Sequence, residues 1–258
     1  MSKVGLQGFL FDEKSSFLKG PRLAPPCIRE AYHSASANYF AENGEAILPK
    51  NITDYGDFSI ENYLDIETIT LKNLNKDLPL LSLGGDHSIT YPIIKAFHSV
   101  YGKVDILHID AHSDLYSNFE GDPYSHACPF YNIMNNGLAA NLHQVGIRTL
   151  NKTQRDHAAQ FQVDINEMKD FHKFSMPKFE NPLYLSLDLD GLDPAFAPGV
   201  SHHEPGGLST REVMTLIQHI DVPIVGADIV EYNPAKDIHE MTAMLAAKLL
   251  KEIVSKMI

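Results

Sequence analysis

The stretch Val104-Asp-Ile-Leu-His-Ile109 runs directly into Asp110-Ala-His-Ser-Asp114. A strand-like segment rich in apolar residues is followed at once by two carboxylates and an imidazole. The same order recurs where Leu183–Leu187 leads into Asp188-Leu-Asp190, and where Leu78–Leu83 leads into Gly84-Gly-Asp-His-Ser88. Continuous apolar strands, rather than alternating ones, are expected where helices cover both faces of a sheet. Polar clusters at the carboxyl ends of such strands lie where open α/β sheets bind ligands. These three runs therefore predict an α/β chain with its chemistry gathered on one edge of a sheet.

Working outward, further strands are expected near Val4–Phe11, Ala46–Leu48, Leu142–Ile147, Phe161–Val163 and Val222–Ala227. Helical segments alternate with them. Pro25–Ser34 has proline at an early helical position. Ile60–Leu74 carries a partly regular apolar face, and Ser88–Tyr101 opens on a capping-type serine. Ser209-Thr-Arg-Glu212 has the form of a capping box. Ile238–Met257 places Met241, Met244, Leu245, Leu249, Ile253 and Met257 along one stripe. Strands alternating with helices imply βαβ units. The expected architecture is a three-layer αβα sandwich around a mostly parallel sheet of about eight strands. With no repeat or linker in view, residues 1–258 read as a single domain. The segment Asp188–Leu208 lacks periodicity, and loops of that length are often functional.

In extended chain the side-chain period is two, so Asp110, His112 and Asp114 are expected on one side, as are Asp188 and Asp190. Four carboxylates brought together would repel one another, and the neighbouring sequence offers too few cationic side chains to offset that. A pair of divalent metal ions would. His87, Asp110, His112, Asp114, Asp188 and Asp190 form an oxygen-dominated donor set with some nitrogen, which suits Mn²⁺ better than a zinc site built on cysteine or three histidines. Six ligand residues exceed the needs of one such ion, so two ions about 3.5–4 Å apart are the simplest arrangement. Taken alone, Gly84-Gly-Asp-His-Ser88 is a strand-to-helix turn capped by Asp86 or Ser88. The three clusters together favour metal ligation.

Composition excludes several classes. The net charge of −12 argues against nucleic acid as a partner. Two cysteines, Cys27 and Cys128, provide neither a disulfide framework nor a zinc-finger spacing. Cys128 reads as a small packing residue. No run approaches the ~18 consecutive apolar residues of a membrane span. The N-terminal residues lack a secretory pattern, and a cytoplasmic location is expected.

The motifs Gly84-Gly-Asp-His-Ser88, Asp110-Ala-His-Ser-Asp114 and Ser186-Leu-Asp-Leu-Asp-Gly-Leu-Asp-Pro194 resemble those of the ureohydrolases, the arginase and agmatinase family. The resemblance extends to Gly20-Pro-Arg22, Ala24-Pro-Pro-Cys-Ile-Arg29, Ala197-Pro-Gly-Val-Ser201, Glu204-Pro-Gly-Gly207 and Asp228-Ile-Val-Glu-Tyr-Asn-Pro234. Glu120-Gly-Asp-Pro-Tyr-Ser-His-Ala127 looks most like plant-type arginases and their bacterial relatives.

The resemblance implies an arginase-like fold and roles residue by residue. His87, Asp110, Asp114 and Asp188 would hold one Mn²⁺; Asp110, His112, Asp188 and Asp190 would hold the other, with Asp110 and Asp188 bridging. A hydroxide between the ions would attack a guanidinium carbon, releasing urea and an amine. Asp114 would orient that hydroxide. Glu231 would bind the guanidinium and His126 would shuttle a proton to the leaving amine, so both would touch the substrate. The family also implies a homo-oligomer, a trimer or hexamer. His202 and His203 are expected to be structural or rim residues, and His108 has no expected role. Where animal-type arginases read the amino-acid end of the substrate, this chain has Tyr116 and Asn151, so those contacts do not carry over. Arginine is modestly favoured over agmatine or another guanidino compound. A related zinc deacetylase and a non-catalytic metal- or amine-binding protein are the competing readings.

Overall fold

The computed structural model describes residues 3–74 and 78–258. Its strands are β1 (Val4–Leu10), β2 (Ile52–Ser59), β3 (Leu80–Leu83), β4 (Val104–Ile109), β5 (Ala139–Ile147), β6 (Asp164–Glu167), β7 (Leu183–Asp188) and β8 (Ile224–Val230). They form one sheet in the order β2-β1-β3-β8-β7-β4-β5-β6. Every pairing is parallel. The helices are α1 (Ala24–Tyr32), α2 (Asp65–Asn73), α3 (Thr90–Tyr101), α4 (Pro129–Asn135), α5 (Lys152–Phe161), α6 (Thr210–Gln218) and α7 (Met241–Met257).

Two cores separate the layers. Leu107, Ile109, Leu185 and Leu187 point to one face, where they pack with Ile28 of α1, Ile217 of α6 and Leu249 of α7. Ile106 and Tyr184, of opposite parity on β4 and β7, pack with Ile66 of α2, Phe97 of α3, Phe130 of α4 and Ala158 of α5. This is the expected αβα sandwich. Central strands such as β4 and β7 are buried at every residue, which is why they read as continuous apolar runs.

The two misplaced strands lie at the edges. Ala46–Leu48 forms only an isolated bridge between Phe40 and Ala46; the strand in that region is β2, which has no fully buried residue and exposes Asp54, Asp57 and Ser59. Phe161 ends α5, and the strand that follows is Asp164–Glu167. Both β2 and β6 are sheet edges. An edge strand needs no continuous apolar run, so that criterion passes over it.

The helices α4 and α5 were not individually expected. The second has only Gln154 and Ala158 buried. It is defined by its start, where Asn151 and Gln154 form a reciprocal capping box. The capping box at Ser209 and Glu212 opens α6 as expected. The last helix begins at Met241 rather than Ile238, because His239 and Glu240 adopt left-handed φ of 49° and 60°. Leu245, Leu249, Ile253 and Met257 form the expected stripe, but Met241 is half exposed.

Candidate metal centre and its pocket

Four neighbouring strands, β3, β8, β7 and β4, end side by side. Leu83 pairs with Ile229, Ile229 with Leu187, and Leu187 with Ile109. The residues just beyond this row are Gly84–His87, Glu231, Asp188 and Asp110. Parallel register, not sequence proximity, therefore assembles the site.

His87 opens the turn before α3. Asp86 caps that turn, accepting from Ser88 N at 3.1 Å, and also accepts from Lys14 N at 3.0 Å. Burial and the charge of Glu231 raise the Asp86 carboxyl to about 6. Nδ1 of His87 faces Asp110 Oδ2 at 3.1 Å, Asp114 Oδ2 at 3.2 Å and Asp188 Oδ2 at 3.1 Å. Nδ1 of His112 lies 3.1 Å from Asp190 Oδ2 and 3.5 Å from Asp110 Oδ1. All six expected metal-site residues thus converge, with Asp110 between the two histidines.

The convergence does not arise from an extended chain. The strand stops at Ile109, and Asp114 has φ 48°. Asp188 ends β7, while Asp190 lies in a short 3-10 turn and donates its backbone N–H to Asp188 Oδ1 at 2.8 Å. Turns, rather than the period of a strand, aim these side chains. A left-handed aspartate is strained, and strained residues cluster at functional sites.

Hydrogen bonding behind the site tests whether these groups suit a cation. Ser186 Oγ donates to Asp228 Oδ1 at 2.7 Å, so at 2.9 Å it can only accept from His87 Nε2. The proton of a neutral His87 is therefore on Nε2, and its Nδ1 lone pair points into the carboxylates. Among the described residues that buried nitrogen has no hydrogen-bond partner. A lone pair facing three carboxylate oxygens is repulsive unless a positive charge stands between them. Without a metal, a proton supplies that charge. Burial alone would lower the His87 pKa, but Asp110, Asp114 and Asp188 raise it well above the ordinary value. Burial, Asp190 and Asp110 push the Asp188 carboxyl well above the usual range. The donor set and the bare nitrogen fit divalent cations.

His108, expected to have no role, lies behind Asp110. Gln144 Nε2 donates to His108 Nδ1 at 2.9 Å, which leaves His108 Nε2–H to donate to Asp110 Oδ2 at 2.7 Å. His108 therefore orients a carboxylate. Its position two residues before Asp110 was visible in the sequence, but its direction depended on the fold.

Glu231 and His126 meet beside this cluster. Glu231 has φ 63°, and its backbone N–H donates to Gly85 O at 2.9 Å. That turn directs the carboxylate back over β3, where Oε1 accepts from His87 N at 2.9 Å. The same oxygen lies 2.8 Å from His126 Nδ1. Burial would lower the His126 pKa, yet the charge of Glu231 outweighs it and raises it to about 9. Burial works against ionising Glu231, and His126 in turn holds its carboxyl below the usual range. On the other side of the ring, Ser16 Oγ lies 2.8 Å from His126 Nε2. Nothing in the sequence pointed to Ser16, which arrives on the loop after β1.

A cavity of about 230 Å³ opens above these groups, lined by both acid clusters, His126, Glu231 and Ser16. Tyr116, Thr149, Gln154, His202 and Glu204 also line it. His202 is thus a wall residue, with its ring 5.4 Å from His126 and 5.7 Å from His112. His203 is exposed, its Nε2 2.8 Å from Pro198 O. Cys128 is fully buried with its thiol pushed up to about 12, as befits a packing residue.

Comparison with known proteins agrees with this geometry. The family model described as Arginase family matches residues 2–255. The chain is 44% identical to arginase 1, mitochondrial, of Arabidopsis thaliana, over 99% of this chain and 81% of that protein. It is 33% identical to an agmatinase of Halalkalibacterium halodurans, over 98% of this chain and 91% of that protein. The arginase structure from Medicago truncatula superposes with a TM-score of 0.94 at 40% identity, covering 99% of this chain and 87% of that one. With motifs, fold and site in agreement along nearly its whole length, the chain belongs to the Arginase family.

Proposed function

We propose that this chain is a dinuclear manganese ureohydrolase that cleaves a guanidino compound into urea and an amine, with arginine as the favoured substrate. The observation that carries the reading is the bare Nδ1 of His87 among three carboxylates, with the His126–Glu231 pair at its side. His87, Asp110, Asp114 and Asp188 would hold one ion; Asp110, His112, Asp188 and Asp190 would hold the second. When bound, the ions supply Lewis acidity and make water nucleophilic near neutral pH.

The remaining work falls to protein groups. Glu231 offers carboxylate oxygens to the N–H groups of a planar guanidinium. Its left-handed turn and its bond from His87 N fix that carboxylate before substrate arrives. Asp114, facing the same space, orients the attacking water. His126 holds a proton between Glu231 and Ser16, and the departing nitrogen needs a proton to leave as an amine.

Agmatine is the second reading, because among the described residues no lysine or arginine lines the cavity to receive a substrate carboxylate. We further assign residues 1–258 to one catalytic unit, active in the cytoplasm as a trimer or hexamer. No helix among the described residues is long and apolar enough to cross a membrane. Urea release is to be measured from arginine, agmatine, guanidinobutyrate and formiminoglutamate after Mn²⁺ loading, with formamide also assayed for the last. Release from arginine or agmatine is expected; no urea from any of them would defeat the reading. Elemental analysis should find two manganese ions per chain, and light scattering should find no monomer.

A further inference from the structure

Of the described carboxylates that line the cavity, Glu204 is the one with a part in neither the metal centre nor the guanidinium site. Asp114, Asp188, Asp190 and Glu231 are buried on its floor, whereas the Glu204 side chain is 41% exposed at its mouth. The His112 ring separates the two levels. Its Nδ1 faces Asp190 at 3.1 Å, and its Nε2 faces Glu204 Oε1 at 3.9 Å. That second distance is too long for a hydrogen bond. Among the described residues the Glu204 carboxylate accepts none.

Its backbone, by contrast, is fixed. Arg148 Nε and Nη2 donate to Glu204 O at 2.9 and 2.6 Å. Asp193 Oδ2 accepts from Gly206 N at 2.6 Å and from Gly207 N at 3.2 Å. The loop thus presents a carboxylate that accepts no hydrogen bond, with only the His112 ring facing it at 3.9 Å, from a rigid support above a site whose described walls carry no lysine or arginine.

We propose that Glu204 anchors an ammonium group at the far end of the substrate, so that the site selects guanidino compounds carrying a second positive charge. This rests on the ureohydrolase reading and adds the substrate class. The guanidinium meets Glu231 on the floor, the aliphatic arm passes His202, and the ammonium meets Glu204 at the mouth. An ammonium brings three donors to a carboxylate that has none. A charge-assisted contact forms there, weakened but not abolished by solvent and salt. A substrate ending in a carboxylate meets repulsion at the same place. Agmatine satisfies both acidic ends. Arginine does so through its α-ammonium, with its carboxylate left to neutral groups such as Tyr116 and Gln154.

The test compares Mn²⁺-loaded wild type with Glu204→Gln on agmatine, arginine, guanidinobutyrate and pentylguanidine, which has a similar arm and no far charge. Loss of one charge-assisted contact at a half-exposed site should raise KM for agmatine and arginine about tenfold. Their kcat should stay within about twofold, pentylguanidine should be unaffected and guanidinobutyrate should improve. If Glu204 only oriented His112, all four compounds would suffer alike and bound manganese would fall, which would overturn the assignment. Agmatine affinity measured by calorimetry needs no turnover. Weaker binding in the variant with no urea from any compound would sink the proposed reaction and keep the anchor. Undetectable agmatine binding by wild type, or equal affinity in both proteins, would remove the anchor whatever the reaction.

Discussion

Nδ1 of His126 and Oε1 of Glu231 stand 2.8 Å apart, although 105 residues separate them in the chain. The contact forms because Glu231 turns back at the end of β8 with φ 63°, and because His126 is tied to the loop after β1 by its backbone N–H to Lys14 O at 3.1 Å. It joins an acid to a base above the proposed metal centre.

This pair has a definite pH signature. With the His126 pKa raised to about 9, its imidazole should remain protonated through neutral pH in metal-free protein. Its contribution to stability is full below the ordinary histidine value near 6.5 and is lost as pH rises through about 9. At the acid end the Glu231 contribution, present above its ordinary value, is lost as pH falls through its depressed one. In Glu231→Gln only burial and weaker charges remain, so the His126 titration should move down by at least one unit. Imidazole NMR titration reads this directly; an unmoved midpoint would show that Glu231 does not control it.

Ser186→Ala removes the acceptor that fixes the tautomer of His87. The bond from Ser186 to Asp228 is lost as well, yet no charge is removed from the cluster. Changing an outer partner of a metal-binding histidine lowers metal affinity by about 10–100-fold. Competition with a chelator should show one site weakened in this way and the other nearly unchanged. Equal weakening of both sites would mean that Ser186 acts on the whole cluster.

Arg148 connects the end of β5 to both ends of the 188–208 loop. Its guanidinium reaches the carbonyl oxygens of Gly146, Asp190, Gly191, Leu192 and Glu204 at 2.6–3.3 Å. Arg148→Ala should leave several of these acceptors without a donor and cost about 3 kcal/mol. Urea denaturation gives the number. Arg148→Lys should recover only part of the loss, since an ammonium cannot span that fork; full recovery would show that charge alone suffices.

Metal binding should stabilise the fold measurably. Saturation at one hundred times Kd adds about 2.7 kcal/mol per independent site. Chelation should therefore lower the melting temperature of wild type. Asp188→Asn should abolish that response while leaving the metal-free protein no less stable than metal-free wild type, because burial, Asp190 and Asp110 oppose ionisation of Asp188 more strongly than His87 favours it. A metal-free variant clearly weaker than metal-free wild type would mean that this carboxylate holds the fold and not only the ions.

Much of the fold is legible in the sequence. The central strands announce themselves through unbroken apolar runs, since β4 and β7 are buried on both faces. Edge strands β2 and β6 were misplaced because one side of an edge meets solvent, and the run of apolar residues is not required there. The six residues that converge on the candidate metal centre were legible by type and by position at strand ends. Their convergence does not come from the period of an extended strand: Asp114 and Asp190 are aimed by turns. The roles of His108, Ser16 and Ser186 are not legible in the sequence, because a histidine or serine has no distinctive local pattern until its partner is known.

The sequence by itself determined the layer architecture and the residue types gathered at the strand ends, because strand burial and turn chemistry are encoded within short segments; the kind of reaction came from the resemblance of its motifs to those of a family. Only the tertiary structure decided how those groups are oriented. The register of β3, β8, β7 and β4 places His87, Glu231, Asp188 and Asp110 side by side. Ser186 and Asp228, on neighbouring strands, fix which nitrogen of His87 faces the acids. Arg148 holds Glu204 over the cavity from 56 residues away. Hydrogen bonds between distant segments set these orientations, and a linear pattern cannot specify a partner that only the folded sheet brings within 3 Å.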